Sequence, residues 1–371
     1  MLEIINIDKA LTKVLEKHNF EGLSILREEF KRGHYPNVVA KIGDFRKQNK
    51  VGLDVEHLLC YMEAISYAEM KEYISSKEII QKQYEQRTNA TSDELIILGQ
   101  IAFLSDHKLC RRIMSKVVMM CEREGANEIK LARCYMILGE AEENLDKFIR
   151  ANKYYKKALK HFDNLAEDKY QLILHFKIGQ NYAKVNEVEE AIAYLTKARA
   201  IAEQKKEHNV LLHSTISLAK LYTLEENKQL VYNLLKEALT ILSEGNNRNT
   251  VLFAEVLTDI GYYHFYDENY ELAIPFYDQA TRLYEQQVLR PSTKLGMIYM
   301  QFAYCFEKQN KPNHLVATEY YEKAITYFKQ GNNQQLLEEA LADVITYFER
   351  VNNKKKKRQY EDKMVQMLKA Q

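Results

Sequence analysis

The chain has 371 residues, 46% of them apolar, and its 53 basic against 52 acidic side chains leave a formal net charge of +1. That balance argues against a dedicated nucleic-acid or membrane-surface protein. With 12 glycines and 4 prolines there is little to punctuate many strands, while Leu, Ala, Glu and Lys are abundant, so the chain reads as mostly helix.

At the N-terminus Glu3, Asp8 and Lys9 interrupt any apolar leader, so no secretory signal is expected. From Ile7 to about Lys50 the apolar spacing predicts three short helices. Ala10–Leu11 with Val14–Leu15 marks the first, and Leu23, Leu26 and Phe30 mark the second, closed by Gly33 in a left-handed conformation. Pro36 suits the first turn of the third, which carries Val38, Val39, Ile42 and Phe45. A long helix is expected from about Asp54, burying Leu58, Leu59, Met62, Ile65 and Met70. Thr91 and Glu94 have the spacing of a capping box and open another helix. Residues 92–124 read as a degenerate repeat, with Leu98-Gly99 lying 40 residues before Leu138-Gly139. Residues 1–90 are thus expected to form an N-terminal bundle and linker helix, and 91–371 a repeat domain.

Beyond Glu128 an internal repeat is plain. A small residue recurs at Gly139, Gly179, Ala219, Gly261 and Ala303, with spacings of 40, 40, 42 and 42. A second stripe recurs as Ala151–Tyr155–Ala158, Ala191–Leu195–Ala198, Val231–Leu235–Ala238, Ala273–Tyr277–Ala280 and Ala317–Tyr321–Ala324. Positions four and seven apart share a helical face, so each trio is one contact stripe. Ala replaces Gly at 219 and 303, so the first slot demands smallness rather than a positive φ. No hairpin buries its stripe alone, and stacked hairpins are implied. Val344 continues the lattice, and a last helix with Tyr360, Met364 and Met367–Leu368 reads as a polar-faced cap.

This pattern resembles the tetratricopeptide repeat, most clearly from Ile260-Gly261 through Asn269-Tyr270, Ala273, Tyr277 and Ala280. The resemblance implies an all-α chain: an N-terminal helical bundle, then a right-handed α-solenoid with long repeats. Together with the helical segment ahead of the array, the long period resembles the Rap, NprR and PlcR-type peptide-responsive regulators of Firmicutes. Such regulators bind a short signalling peptide in the repeat groove and control a response regulator or DNA in quorum sensing. No helix-turn-helix is found: Asp44–Val55 has a superficially similar FRKQNKVGLD with no recognition helix after it. The N-terminal layout is closer to the Rap type, some of which promote aspartyl-phosphate hydrolysis through a glutamine. The nearest glutamine here, Gln48, is expected on a loop.

In such hairpins the slots around the small residue line the groove. Here they hold Lys177, Asn181 and Lys184, then Ser217 and Lys220, then Asp259, Tyr262 and Tyr263, and finally Gln301 and Tyr304. Amide, hydroxyl and charged groups there can bond an extended peptide, and Tyr can pack its side chains. In the family an Asn commonly precedes the Ile-Gly pair. Asp259 occupies that slot here, able to accept from a peptide N–H but not to donate. The bland alternative is a solvated face.

Other candidates are weaker. His57 and Cys60 lie three apart on one helix, without a third metal ligand. Lys354–Arg358 reads as a solvated basic run, and Glu142-Glu143 and Glu225-Glu226 as solvated surface. Five scattered cysteines (Cys60, Cys110, Cys121, Cys134, Cys305) form no CxxC and read as reduced thiols. No catalytic constellation, metal site or cofactor is implied. The expectation is a cytoplasmic regulator that binds a short signalling peptide and a response regulator or other regulatory protein, with no membrane span. Nucleic acid enters only if a DNA-binding head precedes the chain, and a homodimer is compatible. The alternatives are a constitutive repeat scaffold and a Rap-like phosphatase.

Overall fold

The structure, a computed structural model, describes residues 21–165, 168–245, 250–287 and 292–369. All regular structure among them is helical: α1 (Glu21–Lys31), α2 (Tyr35–Gln48), α3 (Leu53–Glu69), α4 (Tyr73–Gln86), α5 (Ser92–Ser105), α6 (His107–Glu124), α7 (Glu128–Glu143), α8 (Phe148–Leu165) and α9 (Asp168–Lys184). There follow α10 (Val188–Lys205), α11 (His208–Leu221), α12 (Leu224–Glu244), α13 (Val251–Tyr266), α14 (Tyr270–Glu285), α15 (Ser292–Lys308), α16 (His314–Gln330), α17 (Gln334–Arg350) and α18 (Lys354–Lys369). The chain divides into two compact units, Met1–Ile201 and Ala202–Gln371.

Local signals in the sequence account for the N-terminal elements. Gly33 is left-handed (φ 73) and ends α1, Pro36 sits in the first turn of α2, and Thr91 and Glu94 form the reciprocal capping box of α5. The expected helix around Ala10–Val14 lies outside the described residues. Two expectations change here. Met70 is past the end of α3 and only half-buried. Gln48 closes α2 instead of lying on a loop, and it is exposed. Between α2 and α3, Arg46 bonds Glu56 and Glu63 and reaches the Cys60 thiol. Gln83 donates to the same thiol, Cys60 donates to Glu56, and no group of metal ligands exists among the described residues.

The first unit is built on hairpins that cross at a small residue. A Cβ added at Gly139 would lie 2.5 Å from Tyr155 Cε1, and one at Gly179 would lie 2.7 Å from Leu195 Cγ and 3.0 Å from its backbone nitrogen. Gly99 is pressed in the same way against Met114, so residues 92–124 form a hairpin of the same kind despite their poor match to the repeat sequence. In the second unit Gly261 has the Tyr277 ring 2.7 Å from its would-be Cβ, and buried Ala219 and Ala303 take the equivalent positions. Side-chain volume, not backbone conformation, dictates the slot. Left-handed residues lie elsewhere, between the helices, Asp146, Asn186 and Glu268 among them.

The turn between α11 and α12 departs from this pattern. Only Tyr222 and Thr223 separate the two helices, and Asn227 in the first turns of α12 is non-helical (φ −124). At the C-terminus Lys354–Arg358 is the start of α18 itself. There Lys356 pairs with Glu322 and Lys357 with Glu349, each at 2.8 Å, so the run is partly tied to the protein. Tyr360 anchors α18, and the rest of the described helix is polar or at least partly exposed, including Val365 and Leu368.

Candidate binding face

In the first unit the sequence-selected residues flank Gly179 on α9. Lys177 reaches back to α7, with Nζ 3.0 Å from Glu143 and 3.5 Å from Glu140, and it lies 5.7 Å from the centre of the Tyr155 ring. Tyr155, wholly buried, donates its hydroxyl to Glu143 at 2.5 Å. Burial pushes the Glu140 carboxyl above its ordinary range, and Lys177 opposes that rise. Cation, carboxylate and phenol thus tie one hairpin to the next. Asn181 is buried and donates to Asn152 Oδ1 of α8 at 3.1 Å, while Asn152 donates to the Ile178 carbonyl. Lys184 is exposed, 4.6 Å from the centre of the Phe148 ring. The adjacent Glu142 also differs from its reading as solvated surface. It is fully buried beside Arg150 at 3.2 Å and Arg111 at 3.9 Å, because the α7 end turns it under α8.

In the second unit the corresponding residues are less committed. Ser217 is half-buried on α11. Lys220 is exposed, 3.7 Å from Glu255 of α13, and Lys294 of α15 reaches the same carboxylate at 3.1 Å. Asp259, one turn beyond Glu255, keeps an oxygen (Oδ2) that is shut off from solvent and accepts no hydrogen bond. Burial raises its pKa, Lys220 and Lys294 oppose the rise, and Glu255 adds to it. Tyr262 and Tyr266, one turn apart on α13, leave 43% and 47% of their surface in solvent. Tyr263 turns the other way, buried and stacked on Tyr232 of α12 at 4.6 Å. Gln301 accepts the Tyr277 hydroxyl at 2.9 Å, and half-buried Tyr304 packs 5.5 Å from Phe265 and 5.8 Å from Tyr270.

These residues border two clefts. One, about 450 Å³, lies under the short α11–α12 turn and is lined by Lys220, Tyr222, Glu225, Asp259, Tyr262 and Tyr266, among others. The other, about 250 Å³, is lined by Phe265, Met300, Gln301, Tyr304, Asp343 and Arg350, with Tyr321 and Thr346. Burial raises the Asp343 pKa, with Arg350 opposing. A row of rings joins the two clefts: Tyr262 lies 6.4 Å from Phe265, and Phe265 5.5 Å from Tyr304. Aromatic walls, a carboxylate lacking a donor and a side-chain amide on one face are the parts that hold an extended chain. Sequence reading missed Phe265, Tyr266, Tyr222, Asp343 and Arg350. Extending the stripe three or four residues past Tyr262 reaches the first two. The turn that brings Tyr222 in has no comparable signal.

Residues 254–287 match the tetratricopeptide-repeat family. No curated protein matches the sequence. Among solved structures the fold is similar to that of the apo form of RapI, with a TM-score of 0.63 and 14% identity over 98% of this chain and 97% of that one. It is similar also to the apo form of the quorum sensor NprR from B. thuringiensis, with a TM-score of 0.52 and 14% identity over 96% and 99% of the two chains. The C-terminal part of a repeat-containing protein from Cytophaga hutchinsonii matches at 0.51 with 14% identity, covering 71% of this chain and 96% of that one. Hairpins crossing at a small residue and stacked in series define an α-solenoid of the tetratricopeptide class. Residues 254–287 match a tetratricopeptide repeat, and the chain as a whole has an all-helical fold like those of RapI and NprR. Among the described residues no helix is long and apolar enough to cross a membrane.

Proposed function

We propose that this protein is a cytoplasmic peptide-responsive regulator. The first-helix face of the unit Ala202–Gln371 binds a short linear peptide, and residues 1–90 serve as the surface that meets a response regulator or another regulatory protein. The observation that carries the reading is the pair of clefts joined by Tyr262, Phe265 and Tyr304, with Asp259 short of a donor beside them. An extended peptide has alternating side chains to pack on rings and backbone N–H groups to offer a carboxylate. The fold similarity to NprR, itself described as a quorum sensor, supports the same direction.

The test is thermal unfolding across a library of short peptides. A ligand that binds only the folded state raises the melting temperature by mass action, by about 2.7 kcal/mol of stability at a hundredfold excess over Kd. Flat melting curves across the whole library, together with partner capture that is indifferent to peptides, would instead establish a constitutive scaffold.

A further inference from the structure

We infer that the outer surface made by α6 and α8 docks an acidic segment of a partner protein, one in which apolar residues stand among the carboxylates. The inference is separate from the peptide reading of the second unit and does not depend on it. In a chain of net charge +1, α6 carries five basic side chains against two acidic ones, and α8 carries five against Asp163 alone. Second helices of later hairpins differ: α12 has two basic against four acidic, and α14 one against three. The concentration of positive charge is therefore particular to α6 and α8.

These two helices lie side by side. Arg111 of α6 and Arg150 of α8 approach the same Glu142, at 3.9 Å and 3.2 Å, and Lys157 of α8 reaches Glu122 of α6 at 3.8 Å. Both carboxylates of α6 sit in its last turn and are already engaged. Glu122 accepts the Tyr135 hydroxyl, and Glu124 accepts the Ser92 hydroxyl at 2.9 Å. What remains is Lys108, Arg112 and Lys116 at successive four-residue steps on α6, with Lys153, Lys156 and Lys160 on α8. Among the described residues none of these six pairs with a carboxylate. Like charges three and four apart on a helix repel one another, and carboxylates from a partner relieve that repulsion.

Two features favour a protein segment over a nucleic acid. Met119, one turn beyond Lys116, and Ile149, one turn before Lys153, leave 53% and 45% of their surface in solvent. Apolar side chains in a partner can cover them, whereas a phosphate backbone has nothing apolar to set there. The neighbouring rings are also taken. Arg112 and Lys116 lie 5.6 Å and 5.7 Å from the centre of the Tyr84 ring, Lys157 4.9 Å from that of Tyr135, and Lys156 5.0 Å from that of Tyr182. Base stacking needs open ring faces, and these carry the cations instead.

The experiment is affinity selection from random dodecapeptide pools built of Asp, Glu, Leu, Phe and Ser. One control pool has Asn and Gln for the acids, another has Ser for Leu and Phe, and a third is random duplex DNA. Retained species are sequenced and titrated by fluorescence anisotropy at physiological salt. Wild type is compared with Met119→Ser and with the double variant Lys153→Glu, Lys160→Glu. Wild type is expected to bind the acidic and apolar peptides at least roughly 10-fold more tightly than any control. Charge reversal at Lys153 and Lys160 is expected to weaken that binding roughly 10- to 100-fold, and Met119→Ser roughly 3- to 10-fold. All three side chains are exposed, and an unchanged melting temperature shows the fold intact. Preference for DNA assigns the surface to nucleic acid and overturns the inference. So do equal binding of the acidic pool without Leu and Phe, binding that survives charge reversal, and failure of wild type to retain the acidic and apolar pool. None of these outcomes moves the melting test of the second unit, so the two readings fail separately.

Discussion

In the unit ending at Ile201, the residues around the small first-helix slot are mostly spent on the protein itself, although Asn181 Oδ1 is buried and accepts no hydrogen bond. Lys177 serves Glu140 and Glu143, Asn181 serves Asn152, and Lys184 lies over Phe148. In the unit from Ala202, the same slots leave Tyr262 half in solvent and Asp259 with an oxygen that nothing donates to. Helical position decides which way a side chain points, but its neighbours decide whether it is free. A peptide contacting Lys177 would have to displace an internal carboxylate, whereas one packing on Tyr262 would meet a ring already half in solvent. The second unit is therefore where ligand contacts cost least.

The crossing slot is common to both units and gives the largest expected effects. Gly179→Ala and Gly261→Ala each push a methyl into a partner with no room, one against Leu195, including its backbone nitrogen, and one against the Tyr277 ring. Each should cost about 1–3 kcal/mol in urea unfolding. The backbone atom makes Gly179 the more severe of the two, since a ring can tilt and a main chain cannot. Values within about 0.5 kcal/mol of wild type would show that the hairpins do not cross where described.

Next comes Lys177→Ala, which strips the cation from two partly buried carboxylates and is expected to cost about 1–2 kcal/mol. A double-mutant cycle with Glu143→Gln should show coupling of roughly 1 kcal/mol. Lys220→Ala is the counterpart in the second unit. Its side chain is 52% exposed and 3.7 Å from Glu255, so the change should stay under about 0.5 kcal/mol. Equal costs at Lys177 and Lys220 would erase the contrast between the units.

How much of this was legible beforehand follows from the range of the forces involved. Gly33, Pro36 and the Thr91–Glu94 cap act within one turn of helix, so the sequence carried them openly. The small slots were legible because overpacking repeats at every hairpin, and Ala219 and Ala303 excluded a backbone explanation. Asn181 and Tyr263 were placed on the right helices but read as facing a ligand, and both are buried against a second helix. A shift of one position turns a side chain about 100° round the axis, too fine for spacing alone. Glu142 read as surface because its partners, Arg111 and Arg150, come from separate helices that no local pattern links to it.

Removing the exposed rings tests the open face directly. Tyr262→Ala and Tyr266→Ala each give up a half-buried ring, and each should cost about 1 kcal/mol. Both should still diminish the melting shift produced by any peptide that stabilises wild type. A peptide response insensitive to both substitutions would move the contact away from this face and make the second unit no more available than the first.

The one expected gain in stability is the most diagnostic. Burial raises the pKa of Asp259 above its ordinary 3.8. Above the raised value the carboxylate is ionised in both states, and the folded protein bears the penalty of the buried charge. As pH falls through the raised value, the folded state takes up a proton that the unfolded state does not yet bind, and stability rises until the ordinary value is passed. Asn cannot titrate, so Asp259→Asn should gain a few tenths to about 1 kcal/mol over wild type at neutral pH, and the gain should shrink as pH approaches 3.8. Urea midpoints measured at neutral and mildly acid pH read this directly. A loss of stability at neutral pH would mean that Asp259 already holds a structural bond, as Lys177 does, and the two units would then differ only in their choice of partner.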